Sequence, residues 1–173
     1  RDPSAHIHKK LMFAVSQGPR LAVVRDRLTN VSKIRDVKSL LAEALGLEEA
    51  AIRAQVHRVE HHRAHMASSF FVSPFDRAAL LSIDGFGDFV STMWGRGCGN
   101  KIEAEDWVEF PHSMGILYTA ITQYLGFPKY GDEYKVMGLA PYGEPEYLDQ
   151  LRKLVRVKPN GGFELDLSYF VHH

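Results

Sequence analysis

The stretch Val59–Phe71, VEHHRAHMASSFF, places His61, His62 and His65 within five positions. On a helix, His61 and His65 share one face, with Cβ atoms about 6 Å apart. Two imidazoles at that spacing can reach one metal ion. His62 points elsewhere, although His62 and His65, three apart, form a second possible pair. Nine histidines in 173 residues give roughly 0.5 pairs at the four-residue spacing by chance. Two surface or capping histidines therefore fit the pair as well as a metal site does. The zinc-protease motif is excluded, because His62 stands where that motif needs glutamate.

Two further segments hold residues suited to chemistry. The stretch Asp84-Gly85-Phe86-Gly87-Asp88 lies between two apolar runs and reads as the turn of a hairpin. Its glycines allow positive φ or close backbone approach, and exposed amides in such a turn can cradle a phosphate. Asp84, at the strand end, is placed to bind a metal or a metal-bound water. An ordinary tight turn would use the same residue types. Tyr130–Gly143, YGDEYKVMGLAPYG, sets Asp132, Glu133 and Lys135 among glycine and proline. Lys135 could neutralise a phosphate and Gly138 could let a nucleotide come close, or the segment is a loop and short helix with a solvated face. It lacks P-loop spacing.

The elements that must carry these residues follow from periodicity. Residues 5–26 read as one or two helices broken near Gly18-Pro19. Asp36–Leu45 has helical spacing with Gly46 as a stop, and Leu47–Arg53 reads as a short second helix. A short strand is expected at Val56–Val59. A helix is expected over His61–Phe71, packing through Ala64, Ala67, Ser68 and Phe71. Strands are expected at Arg77–Ile83, Phe89–Gly95 and Lys101–Phe110, the last two joined by the glycine-rich turn Gly95–Asn100. Ser113 is placed to cap a helix over Met114–Leu125. A short helix near Asp132–Leu139, a helix over Pro145–Val155 and a hairpin turning at Asn160-Gly161-Gly162 complete the chain. Helices and strands alternate, so the class is α/β or α+β.

Composition narrows the function classes. Apolar residues make up 45% and charged residues 24%, which suits a globular protein with a core. With 21 basic and 21 acidic residues, no global field favours nucleic acid or an anionic membrane. The single cysteine, Cys98, leaves no internal disulfide, and a cytoplasmic location is expected. No apolar run reaches transmembrane length. His172 and His173 are left out of the site.

In this order, the three segments resemble the O-carbamoyltransferase family of nodulation and antibiotic-biosynthesis enzymes. The resemblance rests on VEHHRAHMASSFF, on LLSIDGFGDFVSTMWGRG and above all on HSMGILYTAITQYLGFPKYGDEYKVMGLAPYG. It covers Gln55 to His173 well and the helical stretch Arg1–Ala54 loosely. A more distant likeness links the chain to enzymes that transfer threonylcarbamoyl to tRNA. Both families imply an α/β, actin-like ATPase fold, in which two ribonuclease-H-like lobes, each a mixed sheet with flanking helices, border a nucleotide cleft.

The resemblance further implies that His61 and His65 are metal ligands, usually for iron, and that Asp84, Gly85 and Gly87 face a phosphate or carbamoyl group. Asp132, Glu133, Lys135 and Gly138 would line the nucleotide cleft. Asp84 is a candidate base for the acceptor hydroxyl. His112 is a candidate cleft residue, with a capping or packing role equally open. The implied reaction uses carbamoyl phosphate and ATP to form carbamoyl-adenylate, whose carbamoyl group passes to a hydroxyl of a sugar or small molecule.

Nothing in the sequence matches the family's opening phosphate loop, the later aspartate that serves as its third metal ligand, or its adenylate-forming domain. The expectation is therefore part of a catalytic domain with an incomplete two-histidine site, weak metal affinity and little activity by itself. An exposed apolar face leaves self-association open. Three other readings compete. A non-catalytic nucleotide-binding module would not need the histidine pair. A tRNA threonylcarbamoyl transferase relative would carry Ser-Gly-Gly-His-Thr where D-G-F-G-D stands. A metal hydrolase would need a third ligand in the chain, for which Asp84 and Asp88 are the nearest candidates.

Overall fold

A computed structural model describes residues 6–16 and 37–170, in two compact units, Arg1–Glu60 and His61–His173. The expected helix break near Gly18-Pro19 lies outside the described residues. The first unit holds α1 (Ile7–Ser16) and α2 (Val37–Leu45). Gly46, at φ +65°, ends α2. There Leu47 N–H donates to Ala42 C=O at 2.9 Å and Gly46 N–H to Glu43 C=O at 3.2 Å. This paired closure is why glycine follows the helix. The helix expected over Leu47–Arg53 shrinks to one 3-10 turn, Glu49–Ala51. The strand expected at Val56–Val59 does not form: residues 52–60 have no regular structure. A short apolar run makes a strand only where a partner accepts its backbone bonds.

The second unit is a three-stranded antiparallel sheet with helices packed on it. Its elements are α3 (His61–Phe70), β1 (Arg77–Gly87), β2 (Val90–Cys98), β3 (Lys101–Glu109) and α4 (Met114–Tyr124). They are followed by α5 (Glu133–Leu139), α6 (Leu148–Leu151) and the hairpin β4 (Val155–Val157) and β5 (Phe163–Leu165). The sheet order is β1-β2-β3.

Helix α3 packs on the sheet through His62, Met66 and Phe70, not through the expected face; Phe71 is exposed. Met66 and Phe70, at i+4 and i+8 from His62, are larger apolar groups than Ala64, Ala67 and Ser68, and burying them removes more area from water. Met66 and Phe70 join Leu80, Val90 and Met93 in the core. Gly97 admits the Phe70 ring, since a Cβ there would stand 2.6 Å from it.

The hairpin between β1 and β2 departs from expectation in a way that builds the site. The turn is Asp88-Phe89, both at positive φ (50° and 78°), as a two-residue hairpin turn requires. Ile83 pairs with Thr92 and Gly87 with Val90. Asp84, Gly85 and Phe86 therefore stand opposite Ser91 alone. The excess residues bulge out of the ladder, so D-G-F-G-D is mostly a bulge within β1, and Asp84 is not at a strand end.

Helix α4 starts on that bulge. Ser113 Oγ accepts from Ile116 N–H at 3.1 Å and donates to Gly85 C=O at 2.7 Å. Replacing Ser113 with alanine removes a cap and leaves a part-buried carbonyl without its donor. A loss of about 1–3 kcal/mol is expected in urea unfolding; an unchanged midpoint would show that the cap does not hold α4.

The helix expected over Pro145–Val155 forms only at Leu148–Leu151, because Val155–Val157 pairs with Phe163–Leu165 instead. β-branched Val155 and Val157 favour that pairing. The hairpin turns at Lys158–Gly162 with Gly161 at φ +84°, and it docks through Asn160, which donates to Asp106 at 2.9 Å. Among the described residues, no helix is long and apolar enough to cross a membrane.

Candidate metal centre

Helix α3 and the β1 bulge bring His61, His65 and Asp84 together. His61 Nε2 lies 2.7 Å from Asp84 Oδ2, His65 Nε2 lies 3.0 Å from His61 Nε2, and His65 Nε2 lies 3.5 Å from Asp84 Oδ2. Among the described residues these three form a group able to hold a metal ion. The spacings suit donor atoms sharing one first-row ion at about 2.0–2.2 Å. The alternative is poorer: two Nε2 atoms face each other and one carboxylate oxygen, so protons alone must reconcile three lone pairs. A cation satisfies all three. The set is two histidines and one carboxylate, the donor combination of open-sided non-haem iron sites. The group opens to solvent on one side, since His65 and Asp84 side chains are about half exposed (51% and 43%) while His61 is at 15%.

Two of the three candidate donors, His61 and Asp84, are held by specific contacts. Asp88 Oδ2, from the hairpin turn, accepts the His61 N–H at 3.0 Å and so caps α3 from 27 residues away. The His61 ring lies on Gly87, where a Cβ would stand 1.9 Å from two ring carbons. Gly85 N–H donates to Asp84 Oδ1 at 2.6 Å. Burial pushes the Asp84 carboxyl up, but the hydrogen bonds from His61 and Gly85 and the charge of the two imidazoles outweigh it and hold it below the usual carboxylate range.

A third donor therefore lies within the chain. Beside the expected two-histidine pair, a bulge invisible to local periodicity brings a third candidate donor, Asp84. Gly85 and Gly87 serve this geometry, one aiming Asp84 and the other seating His61.

The remaining expected site residues lie elsewhere in the unit. His112 Nδ1 accepts the Leu165 N–H at 3.0 Å and its carbonyl accepts from Ser91, so it ties β5 to the sheet. Asp132 Oδ1 pairs with Lys135 Nζ at 2.6 Å, and its Oδ2 accepts the Lys129 N–H at 3.1 Å. The hydrogen bond that Lys135 donates holds Asp132 below its usual range, and the same bond raises Lys135. Glu133 accepts from Thr119 Oγ1 at 2.6 Å, which lowers its carboxyl. Gly138, on α5, has open space where a Cβ would stand. Sequence reasoning missed Asp88 as the α3 cap, for which no local signal exists, and the inward face of His62, which the His62–Met66–Phe70 spacing does signal.

The chain is similar to several known proteins. Over 112 residues (64% of the chain) it is 50% identical to an uncharacterized protein of Synechocystis. It is 37% identical over 133 residues (76% of the chain) to nodulation protein NolNO of Sinorhizobium fredii. It is 38% identical over 113 residues (64% of the chain) to nodulation protein NolO of Bradyrhizobium diazoefficiens. The matched regions span 18%, 19% and 20% of those proteins, so the chain corresponds to about a fifth of their length. The model of the carbamoyltransferase N-terminus matches residues 9–173, and the chain belongs to the carbamoyltransferase family, of which it carries N-terminal sequence.

Proposed function

We propose that the chain forms part of the catalytic domain of an O-carbamoyltransferase, in which His61, His65 and Asp84 hold a divalent cation, iron by the character of the donor set. The observation that carries this reading is the meeting of the three donor atoms at 2.7–3.5 Å. The group transferred is carbamoyl, passed to a hydroxyl of a sugar or small molecule from carbamoyl-adenylate, with AMP leaving; the adenylate is itself made from carbamoyl phosphate, ATP and water with release of phosphate and pyrophosphate. A bound divalent ion supplies Lewis-acid polarisation of an oxygen on donor or acceptor.

The chain's own residues bind and orient. Asp84 acts as a ligand through Oδ2, the atom that faces both His61 Nε2 and His65 Nε2. Substrate approaches from the side of His65 and Asp84, the exposed side of the trio. Lys135 is the residue a nucleotide phosphate would recruit, by exchanging its partner Asp132. An antiparallel sheet flanked by helices is compatible with one lobe of an actin-like ATPase fold.

The test is the natural full-length protein, given carbamoyl phosphate, ATP and a panel of sugar and small-molecule hydroxyl acceptors, with His65→Ala beside it. Carbamoylated product from the wild type and a drop of about 100-fold or more in the variant are expected. Equal turnover by the two would remove the trio from the reaction.

A further inference from the structure

His62 lies between the two candidate ligands in sequence and points into the protein. Its ring is fully buried. Nε2 donates to Val90 C=O at 2.9 Å, since a carbonyl only accepts. Nδ1 then accepts the Ser82 hydroxyl at 2.7 Å. A neutral imidazole with its hydrogen on Nε2 satisfies both contacts at once. Ser82 precedes Asp84 by two residues on β1, and Val90 opens β2 beside the turn that caps α3. An apolar side chain at position 62 would extend the Met66–Phe70 stripe, but it would bury without direction and leave the Ser82 hydroxyl and Val90 carbonyl without these bonds. Two directional bonds fix both the rotation of α3 and its height along β1. His61, His62 and His65 share little more than one helical turn, with ring centroids 5.1 Å and 6.1 Å from His62. Any rotation that breaks the clamp swings both ligands off Asp84.

We propose that His62, through Ser82 and Val90, is a positioning residue for the metal centre, setting the angle at which His61 and His65 meet Asp84. The inference rests on the reading of the trio as a metal site.

The test titrates the full chain with Co2+, whose visible absorption reports coordination geometry, in the wild type, Ser82→Ala and His62→Gln. The amide introduced by His62→Gln can keep one of the two bonds, and Ser82→Ala removes one bond with the histidine intact. Circular dichroism follows the folded fraction. Expected are Co2+ affinities lower by about tenfold in Ser82→Ala and about 10–100-fold in His62→Gln, with shifted absorption bands in the folded protein. Wild-type affinity and spectrum in the variants would overturn the inference. So would an affinity that falls only as the unfolded fraction rises, with unchanged bands. No Co2+ binding by the wild type would instead bring down the metal reading itself, and this inference with it.

Discussion

Replacing Gly87 with alanine is expected to remove metal binding and to lower stability by about 1–3 kcal/mol. The added methyl would stand 1.9 Å from Cγ and Cδ2 of His61 and 2.6 Å from its Cβ. The nearest atoms include the root of the side chain, so a rotamer change cannot clear them all. Either His61 leaves Asp84, or α3 lifts from the hairpin and gives up the Asp88 cap. Both outcomes break the trio. Gly138→Ala is the matched control, because its added methyl meets nothing within 4 Å, and alanine is the better helix former. Metal titration with urea unfolding checks the pair of variants. Metal affinity retained in Gly87→Ala would mean that the ring does not need its seat on β1.

The second large effect is expected at Gly115, on the other side of the bulge. A Cβ there would lie 2.7 Å from both Asp84 O and Gly85 N. These are backbone atoms, so the conflict is relieved only by moving α4 or the bulge. Moving α4 strains the bond from Ser113 to Gly85; moving the bulge displaces Asp84. Gly115→Ala should therefore cost about 1–3 kcal/mol and weaken metal binding about tenfold or more through the carboxylate rather than the histidines. Because His61 keeps its seat on Gly87, a residual two-histidine affinity is expected, which Gly87→Ala would not leave. Equal metal affinity in Gly115→Ala and wild type would show that the α4 contact does not set Asp84.

Features encoded by neighbouring residues were legible in the sequence. Ser113 caps α4, Gly46 ends α2, and the last hairpin turns at Asn160–Gly162, each through bonds or dihedrals local to the motif. Features decided by distant partners were not. Val56–Val59 has strand-like residues but no strand pairing, and Val155–Val157 leaves a helical pattern because Phe163–Leu165 takes its backbone bonds. The inward face of α3 was set by what the sheet could bury, which favoured Met66 and Phe70 over the small residues. The site divides in the same way. The four-residue spacing of His61 and His65 offers two ligands to one ion. That Asp84 lies beside them depends on the two extra residues in β1, and those are countable only once Ile83 is paired with Thr92 and Gly87 with Val90.

The proposed metal site draws three donors from this chain, His61, His65 and Asp84. Its most direct test is anaerobic titration of the chain with Fe2+, beside Asp84→Ala and His61→Ala. The account predicts one ion bound per chain, with affinity reduced about 100-fold or more in each variant. Wild-type binding that Asp84→Ala leaves intact would contradict it, as would a wild type that binds no Fe2+.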